Sequence, residues 1–386
     1  MRTSLVVAGL AALVAAQPPA VSPQVTRLHD AAVRYERIVD AEDWIPIGRP
    51  ARVVSPGDAL PDAGRLHEHL VVLGDLPAHA PPPDTPRLTE ALSAGLRRFQ
   101  ARHGLVVDGV LGPATAAALA VPPSRRLAQI RIAIDRLSAL DLADRRPTIL
   151  VNVPMAYLWA WDGAPWQQPA AIDMKVIVGK PSTPTPTFES HVESITFRPF
   201  WDVPVSIAVQ ELWPQILRDP AYLARHHFDI VPPDGRAVPF SGQALGLFRS
   251  GALRLRQRPG ADNALGLVRF DVPNPYSVFL HDTPARAAFA RPSRHLSHGC
   301  IRLERPAALV RWALADEAWT DAAIEAAFDG IDGHAVPATR PVRLLVVSVP
   351  ALVTDDGDVW FAGLPPAGAE EPTLQPPGGC GGDEVA

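Results

Sequence analysis

Two short runs hold the residues best suited to chemistry: Val278-Phe279-Leu280-His281-Asp282-Thr283-Pro284 and Ser297-His298-Gly299-Cys300-Ile301-Arg302-Leu303. A thiol attacks a carbonyl as its thiolate, and a free cysteine, with a pKa near ~8.5, needs a base or positive charge beside it to reach that state at neutral pH. Histidine is the usual base, held in turn by a third group that orients its ring. His281 ends an expected strand, and Cys300 follows a glycine in an expected tight turn. Gly299 lets the backbone N–H groups of Gly299 and Cys300 approach a carbonyl oxygen, as an oxyanion hole requires. The residues read as a Cys300/His281 nucleophile pair for acyl transfer. Two other readings of the same residues stay open at this level. His295, His298, Cys300 and His281 offer imidazole and thiolate, both ordinary zinc ligands, although their spacing fits no standard zinc pattern. An inert, buried cysteine beside surface histidines is the other.

The elements that must position this chemistry are short and regularly spaced. Thr148 to Val153, Tyr157 to Trp161, Met174 to Val178, Ile195 to Phe197, Leu253 to Leu255, Leu265 to Phe270, Tyr276 to His281 and Val342 to Val349 are β-branched and aromatic runs separated by glycine and proline. Such a pattern predicts a β-sandwich or barrel-like core. A helical interlude, with Val209 to Arg218 and Ala221 to His226, interrupts it; Ala307 to Ala315 and Asp321 to Phe328 are again helical in spacing. Upstream the texture is helical throughout. Leu28, Ala32, Tyr35 and Ile38 mark one helix, and Leu127, Ile130, Ile134 and Leu137 another. Between them lie Ala63 to Leu73, Thr89 to His103 with Gly104 as its stop, and a short helix opened by Gly112-Pro113.

Composition bounds the whole. At 386 residues the chain is long enough for two or three modules. Its 36 basic and 41 acidic residues leave a net charge of −5, which gives no footprint for nucleic acid. The 43 prolines, about twice the usual share, favour linkers and turns over long helices. Two cysteines exclude a disulfide-stapled scaffold. Met1-Arg2-Thr3 followed by the apolar run Leu5 to Ala16, with small Val14 and Ala16 ahead of Gln17, predicts a cleaved secretory signal; a frayed N-terminal helix in a cytosolic protein is the alternative. The run is too short to span a bilayer and no later stretch does so, so a soluble mature protein without a membrane span is expected.

The block Leu96-Arg97-Arg98-Phe99-Gln100-Ala101-Arg102-His103-Gly104-Leu105, then Val107 to Gly112 and Pro113-Ala114-Thr115, resembles the small helical peptidoglycan-binding domain. The resemblance implies affinity for cell-wall glycan or peptide; a three-helix packing unit that has kept its turns and lost its ligand is the competing reading. His281 followed by Ser297-His298-Gly299-Cys300-Ile301-Arg302 resembles the signature of the L,D-transpeptidases of the bacterial cell wall. So do Val151-Asn152-Val153-Pro154, Val176 to Lys180, Thr185-Pro186-Thr187-Phe188, Trp201-Asp202-Val203-Pro204 and Pro259 to Gly266. The similarity runs roughly from Val25 to Phe361 and is to the large Gram-negative members.

That resemblance implies an α+β protein: a β-rich, sandwich-like catalytic domain with a helical capping insertion, an all-α scaffold and a three-helix peptidoglycan-binding domain. The expected boundaries are a signal peptide at 1–16, scaffold at 17–56 and 122–142, and a peptidoglycan-binding domain at 57–121. The catalytic domain is expected at 143–363 with its cap at 203–259, and a disordered tail at 364–386. Cys300 is implied as nucleophile and His281 as base, with the backbone carbonyl of Asp282 as the orienting group, Gly299 and Cys300 as oxyanion donors, and His298 and Ser297 shaping the turn or touching substrate. Arg302 is suited to a substrate carboxylate; pairing with Glu304 is its alternative. The implied reaction takes a stem tetrapeptide ending in diaminopimelate and D-alanine, releases D-alanine through a thioester, and forms a 3→3 cross-link. It needs no metal or organic cofactor, takes place in the periplasm, and is open to inhibition by carbapenems. Water or an envelope protein's lysine as acceptor are alternatives, and a non-catalytic wall-binding protein is the non-enzyme one. On this reading Cys300 works as a free thiol and Cys380 is a bystander in the tail.

Overall fold

The computed structural model describes residues 22–41, 44–232, 236–239, 247–248 and 250–363. The expected signal peptide and tail, including Cys380, lie outside the described residues.

Five helices form the N-terminal half. Helix α1 (Pro23–Asp40) and helix α5 (Pro123–Ser138) pack against each other through Leu28, Ala32, Tyr35, Leu127, Ile130 and Leu137. Both begin with proline in the first turn, where a missing N–H costs no intrahelical bond. Between them, α2 (Ala63–Val72), α3 (Glu90–Arg102) and α4 (Pro113–Leu119) bury Leu66, Leu70, Leu92, Leu96, Phe99 and Leu119 in a core of their own. Thr89 caps α3, its hydroxyl accepting the Leu92 N–H at 3.3 Å. Gln100 explains why this block keeps its motif. Its amide donates to Asp108 Oδ1 (2.8 Å), Val110 O (3.0 Å) and Thr115 Oγ1 (3.1 Å), and accepts from the N–H of Gly109 (2.8 Å). Gly109 has φ +72°, and a Cβ there would meet the Ser93 hydroxyl. The signature residues therefore build turns, and by themselves establish the fold of this block.

The C-terminal half is one curled eleven-stranded sheet plus a small satellite sheet. The first strands are β1 (Thr148–Asn152), β2 (Tyr157–Trp161), β3 (Ile172–Gly179), β4 (Phe188–His191) and β5 (Ser194–Phe197). A subdomain then leaves the sheet: β6 (Trp201–Val203), a helical turn α6 (Val205–Ile207) running through a π-helical turn at Ala208–Leu212 into α7 (Trp213–Arg218), α8 (Ala221–Arg225), β7 (Phe228–Val231) and β8 (Arg254–Gln257). This insertion is not purely helical, as the sequence suggests. It carries a three-stranded antiparallel sheet, β6-β8-β7, whose Val203, Phe228, Ile230 and Leu255 pack on Trp213 and Ile216. A cross-strand ion pair, Arg256 to Asp202 at 2.6 and 2.9 Å, ties β8 to β6.

The main sheet resumes with β9 (Val268–Asp271), β10 (Leu280–His281), β11 (His295–Ser297) and β12 (Ile301–Leu303), followed by α9 (Pro306–Leu314), α10 (Asp321–Phe328), β13 (His334–Pro337) and β14 (Arg343–Val347). Its order is β13-β5-β9-β10-β12-β3-β2-β1-β14-β4, with β11 pairing β3. The buried positions on β1, β3, β5, β9 and β14 make its core, closed on one side by Leu309, Val310 and Ala313 of α9. Only the last two residues of the expected strand Tyr276 to His281 are strand. Asn274 accounts for this: its amide donates to Val272 O and Val278 O (both 2.7 Å) and accepts from Tyr276 N (3.0 Å) and Val278 N (3.1 Å), which holds the preceding residues as a loop.

A final hairpin, β15 (Ala351–Val353) with β16 (Val359–Phe361), returns to the helical half. Phe361 lies 5.6 Å from the Tyr35 ring of α1 and 5.5 Å from His103, under the Arg126 guanidinium of α5 at 4.9 Å. Arg102, bonded to Asp75 at 2.6 and 2.7 Å, donates also to Val359 O at 3.4 Å. No strand was expected after Val349; the segment is a packed element through Phe361.

Candidate functional site

The site sits where β10 and β12 run parallel at the centre of the sheet. Leu280 faces Ile301 and His281 faces Arg302 in register. Strand alternation puts His281 and Arg302 on one face, and Cys300, two residues before Arg302, is carried to the same side. His281 is 3% exposed. Its Nδ1 lies 2.5 Å from the carbonyl oxygen of Asp282. Burial pushes the ring down to about 3, with the Arg302 charge adding to the effect and the Asp282 carbonyl opposing it, so the imidazole is neutral at ordinary pH. A neutral ring that donates from Nδ1 to a carbonyl presents an Nε2 lone pair.

Asp282 contributes to the site through its backbone; its carboxylate serves the fold. Oδ2 accepts the Leu267 N–H (2.9 Å), while Oδ1 accepts the Thr283 N–H (2.6 Å) and pairs with Arg286. Gly266, at φ +63°, has to be glycine, since a Cβ there would collide with that carboxylate. Asn263 fixes the approach to it, donating to Arg258 O (2.9 Å) and accepting from Leu265 N (2.8 Å).

The turn Ser297–Cys300 is stitched from both ends. Ser297 Oγ donates to Cys300 O (2.6 Å) and accepts the Gly299 N–H (3.1 Å). Buried Ser297 is engaged inside the turn, the turn-shaping place the sequence suggests for it, and the Gly299 N–H, expected as an oxyanion donor, is bonded to its hydroxyl here. Gly299 instead provides the φ of +122° that the turn needs. Thr185, to which no role was assigned, ties the turn to the end of β3: its hydroxyl donates to Gly299 O (2.7 Å) and accepts the Gly179 N–H (2.8 Å). A side chain at Gly179 would run into the backbone of Thr183 and Thr185. Ser277, with φ +51°, places its carbonyl oxygen 3.9 Å from Cys300 Sγ. Cys300 is 3% exposed. It is not a free thiol in the structure: its sulfur is disulfide-bonded. The chain's one other cysteine is Cys380, beyond the described residues. This corrects the expectation of a standing free thiol; the nucleophilic form is the reduced one.

Arg302 is partly buried, and no carboxylate pairs with it among the described residues; its Nε has no hydrogen-bond partner. Burial pushes its guanidinium down. The alternative partner, Glu304, turns its carboxylate to the Lys175 N–H at 3.1 Å. His298 Nε2 lies 2.6 Å from Glu211 Oε1, which comes from the inserted subdomain, and 3.2 Å from Lys180 Nζ, which follows β3. Neither partner was singled out in the sequence, and nothing local could have joined Glu211 to the motif. His295, half-buried on β11, is pushed down mainly by burial. Among the described residues no group of three or more His, Cys, Asp or Glu side chains is arranged to hold a metal ion.

Comparison with known proteins agrees with this geometry. Residues 146–337 match the family described as "L,D-transpeptidase catalytic domain", and residues 61–119 the one described as "Putative peptidoglycan binding domain". A Haemophilus influenzae protein named "Putative L,D-transpeptidase" is 33% identical over 175 residues, 45% of this chain; the match spans about a third (35%) of that relative's length. Among solved structures, an L,D-transpeptidase from Stackebrandtia nassauensis is 12% identical at a TM-score of 0.29, covering 76% of this chain and 94% of that one. L,D-transpeptidase 3 from Mycobacterium tuberculosis is 15% identical at a TM-score of 0.26, covering 53% and 62%. Superpositions this loose place no residue. The family matches and the curled sheet together establish that this chain carries a catalytic domain of the L,D-transpeptidase family, preceded by a domain of the peptidoglycan-binding family.

Proposed function

We propose that the protein forms 3→3 cross-links in peptidoglycan, with Cys300 as nucleophile and His281 as its base. The observation that carries this reading is the buried, neutral His281 held through Nδ1 by the Asp282 carbonyl, on the strand beside the one that Cys300 opens. Once Cys300 is reduced, Nε2 takes the thiol proton and the thiolate attacks the carbonyl on the L-centre of diaminopimelate in a stem tetrapeptide. The N–H of Cys300 meets the oxyanion. Collapse of the tetrahedral species breaks the bond to D-alanine, whose amine receives the proton from His281, and leaves a thioester. The side-chain amine of a second stem then attacks the thioester and gives up its proton to His281 as the Cys300 thiolate departs.

Arg302 fits a substrate carboxylate, because a partly buried guanidinium without a counter-charge is costly until an anion arrives. Burial is the larger cause of the lowered His281 ring, and the Arg302 charge that adds to it would be offset by a bound carboxylate. The domain at 61–119 supports a location in the cell-wall compartment, outside the cytoplasm.

The test is mass spectrometry of the purified, reduced chain with a disaccharide tetrapeptide. Loss of D-alanine with a 3→3 dimer is expected, with both products absent for Cys300→Ala. Tripeptide alone would make it an L,D-carboxypeptidase, and an unchanged dimer yield from Cys300→Ala would end the nucleophile assignment.

A further inference from the structure

We infer that Glu211 is a positioning residue, through which the inserted subdomain closes over the nucleophile turn by taking His298 Nε2 from Lys180. Three charged or titratable groups meet at one nitrogen. Glu211 Oε1 stands 2.6 Å from His298 Nε2 and Lys180 Nζ 3.2 Å from the same atom. One ring nitrogen cannot donate to a carboxylate and accept from an ammonium at once. With the carboxylate at 2.6 Å, Nε2 carries the proton and donates to Glu211. A bond from the Lys180 ammonium would instead require the ring to present a lone pair at that nitrogen. The two arrangements are exclusive, which makes His298 a two-position contact between the subdomain and the turn.

The placement of the partners supports this assignment. Lys180 belongs to the catalytic sheet, its backbone N–H bonded to Ser297 O at 2.9 Å, so it moves with the turn. Glu211 belongs to the subdomain, on the π-helical turn Ala208–Leu212. A π turn inserts a residue into a helix and re-aims the side chains around it, a distortion that costs hydrogen-bond geometry and is concentrated at functional sites. Leu212 and Trp213, next along the chain, are buried in the subdomain core, so Glu211 is aimed from a rigid base. Its carboxylate remains about half exposed, at 45%, as a contact that must open and close requires. His298 is two residues from Cys300, so whatever holds its ring also holds the turn.

The inference rests on the transpeptidase reading for its kinetic arm only. Four variants of the reduced full chain, Glu211→Ala, Glu211→Asp, Lys180→Met and Asp219→Ala, are compared by amide hydrogen exchange and by turnover of the disaccharide tetrapeptide. Asp219 accepts the Ala221 N–H at 3.0 Å and pairs with Arg225 at 2.6 Å, bonds that do not involve His298, so its loss loosens the subdomain without touching the contact. Glu211→Ala is expected to speed exchange several-fold in both 205–218 and 297–303, and to raise KM about tenfold with a smaller change in kcat. Glu211→Asp recovers part of both effects. Lys180→Met, which removes the competitor, slows exchange in both segments. Asp219→Ala speeds exchange near 219–225 alone and leaves KM as it was. Faster exchange confined to 205–218 in Glu211→Ala, or no change in either segment, overturns the inference. A wild-type chain that does not process the tetrapeptide at all removes the proposed function, and the exchange results still decide the role of Glu211.

Discussion

Thr185 shows how much of a site a single hydroxyl can hold. It sits between the N–H of Gly179 and the carbonyl of Gly299, both in buried residues. Thr185→Val keeps the shape and removes the hydroxyl, leaving a donor and an acceptor unsatisfied at about 1–3 kcal/mol each. The expected outcome is a kcat at least tenfold lower with KM little changed, and recovery in Thr185→Ser; steady-state kinetics on the tetrapeptide would show it, and an unchanged kcat in Thr185→Val would count against this role. That His281 and Arg302 stand in register, and that the Asp282 carbonyl meets the His281 ring, was legible in the sequence because these residues lie in contiguous motifs; the roles given them with Cys300 are those of the proposed function. Thr185 fell inside a quoted motif but without a role, since its partners are separated from it in sequence and meet only through the pairing of β3 with β11 and β12. The bond from the Gly299 N–H to the Ser297 hydroxyl was not legible, because a side chain folding back onto its own turn is seen only in three dimensions. The oxidation state of Cys300 was not legible at all, because residue type says nothing about bonding.

At the scale of elements, long periodic segments were read well and short ones poorly. α2, α3 and α5 follow from the spacing of their apolar residues, and β1, β2 and β14 from β-branched or aromatic runs. β4, β6, β7, β13, β15 and β16 were missed: they are three or four residues long, and their stability comes from a neighbour instead of a pattern. The hairpin β15–β16 is the telling case. Its sequence offers Val359-Trp360-Phe361 beside glycine and proline, and only the packing shows Phe361 between Tyr35, His103 and Arg126. Phe361→Ala should cost about 3–5 kcal/mol, the range for emptying a buried aromatic site. Urea denaturation should show that loss, and limited proteolysis should find the helical half cut before the sheet. A cost below about 1 kcal/mol would mean that the hairpin is not what joins the two halves.

The molecule as a whole carries a pH sensitivity that no single element reveals. His69 is pushed down to about 4, mainly by burial; it is stacked on Trp44 at 3.7 Å. His103 is held well below its ordinary value by burial, with Arg102 and Arg126 adding, and His281 and His295 are lowered mainly by burial as well. Each is neutral in the folded chain and takes up a proton near pH ~6.5 when unfolded. The unfolded state therefore binds more protons below that pH, so stability is greatest above it and falls as the pH drops toward 4 and 3. Asp144 and Glu189, held low by hydrogen bonds from Arg146 and Arg343, deepen the loss once the pH enters the carboxylate range. Denaturation midpoints measured from pH 8 to pH 4 should be level at first and then decline steadily from about 6.5; a flat profile down to pH 5 would contradict the burial of these rings. The seat of Phe361 has a mechanical consequence as well. Because the last hairpin is clamped into the helical half, residues 61–119 and the turn at Cys300 keep a set spacing, as the jaws of a caliper do and the ends of a leash do not.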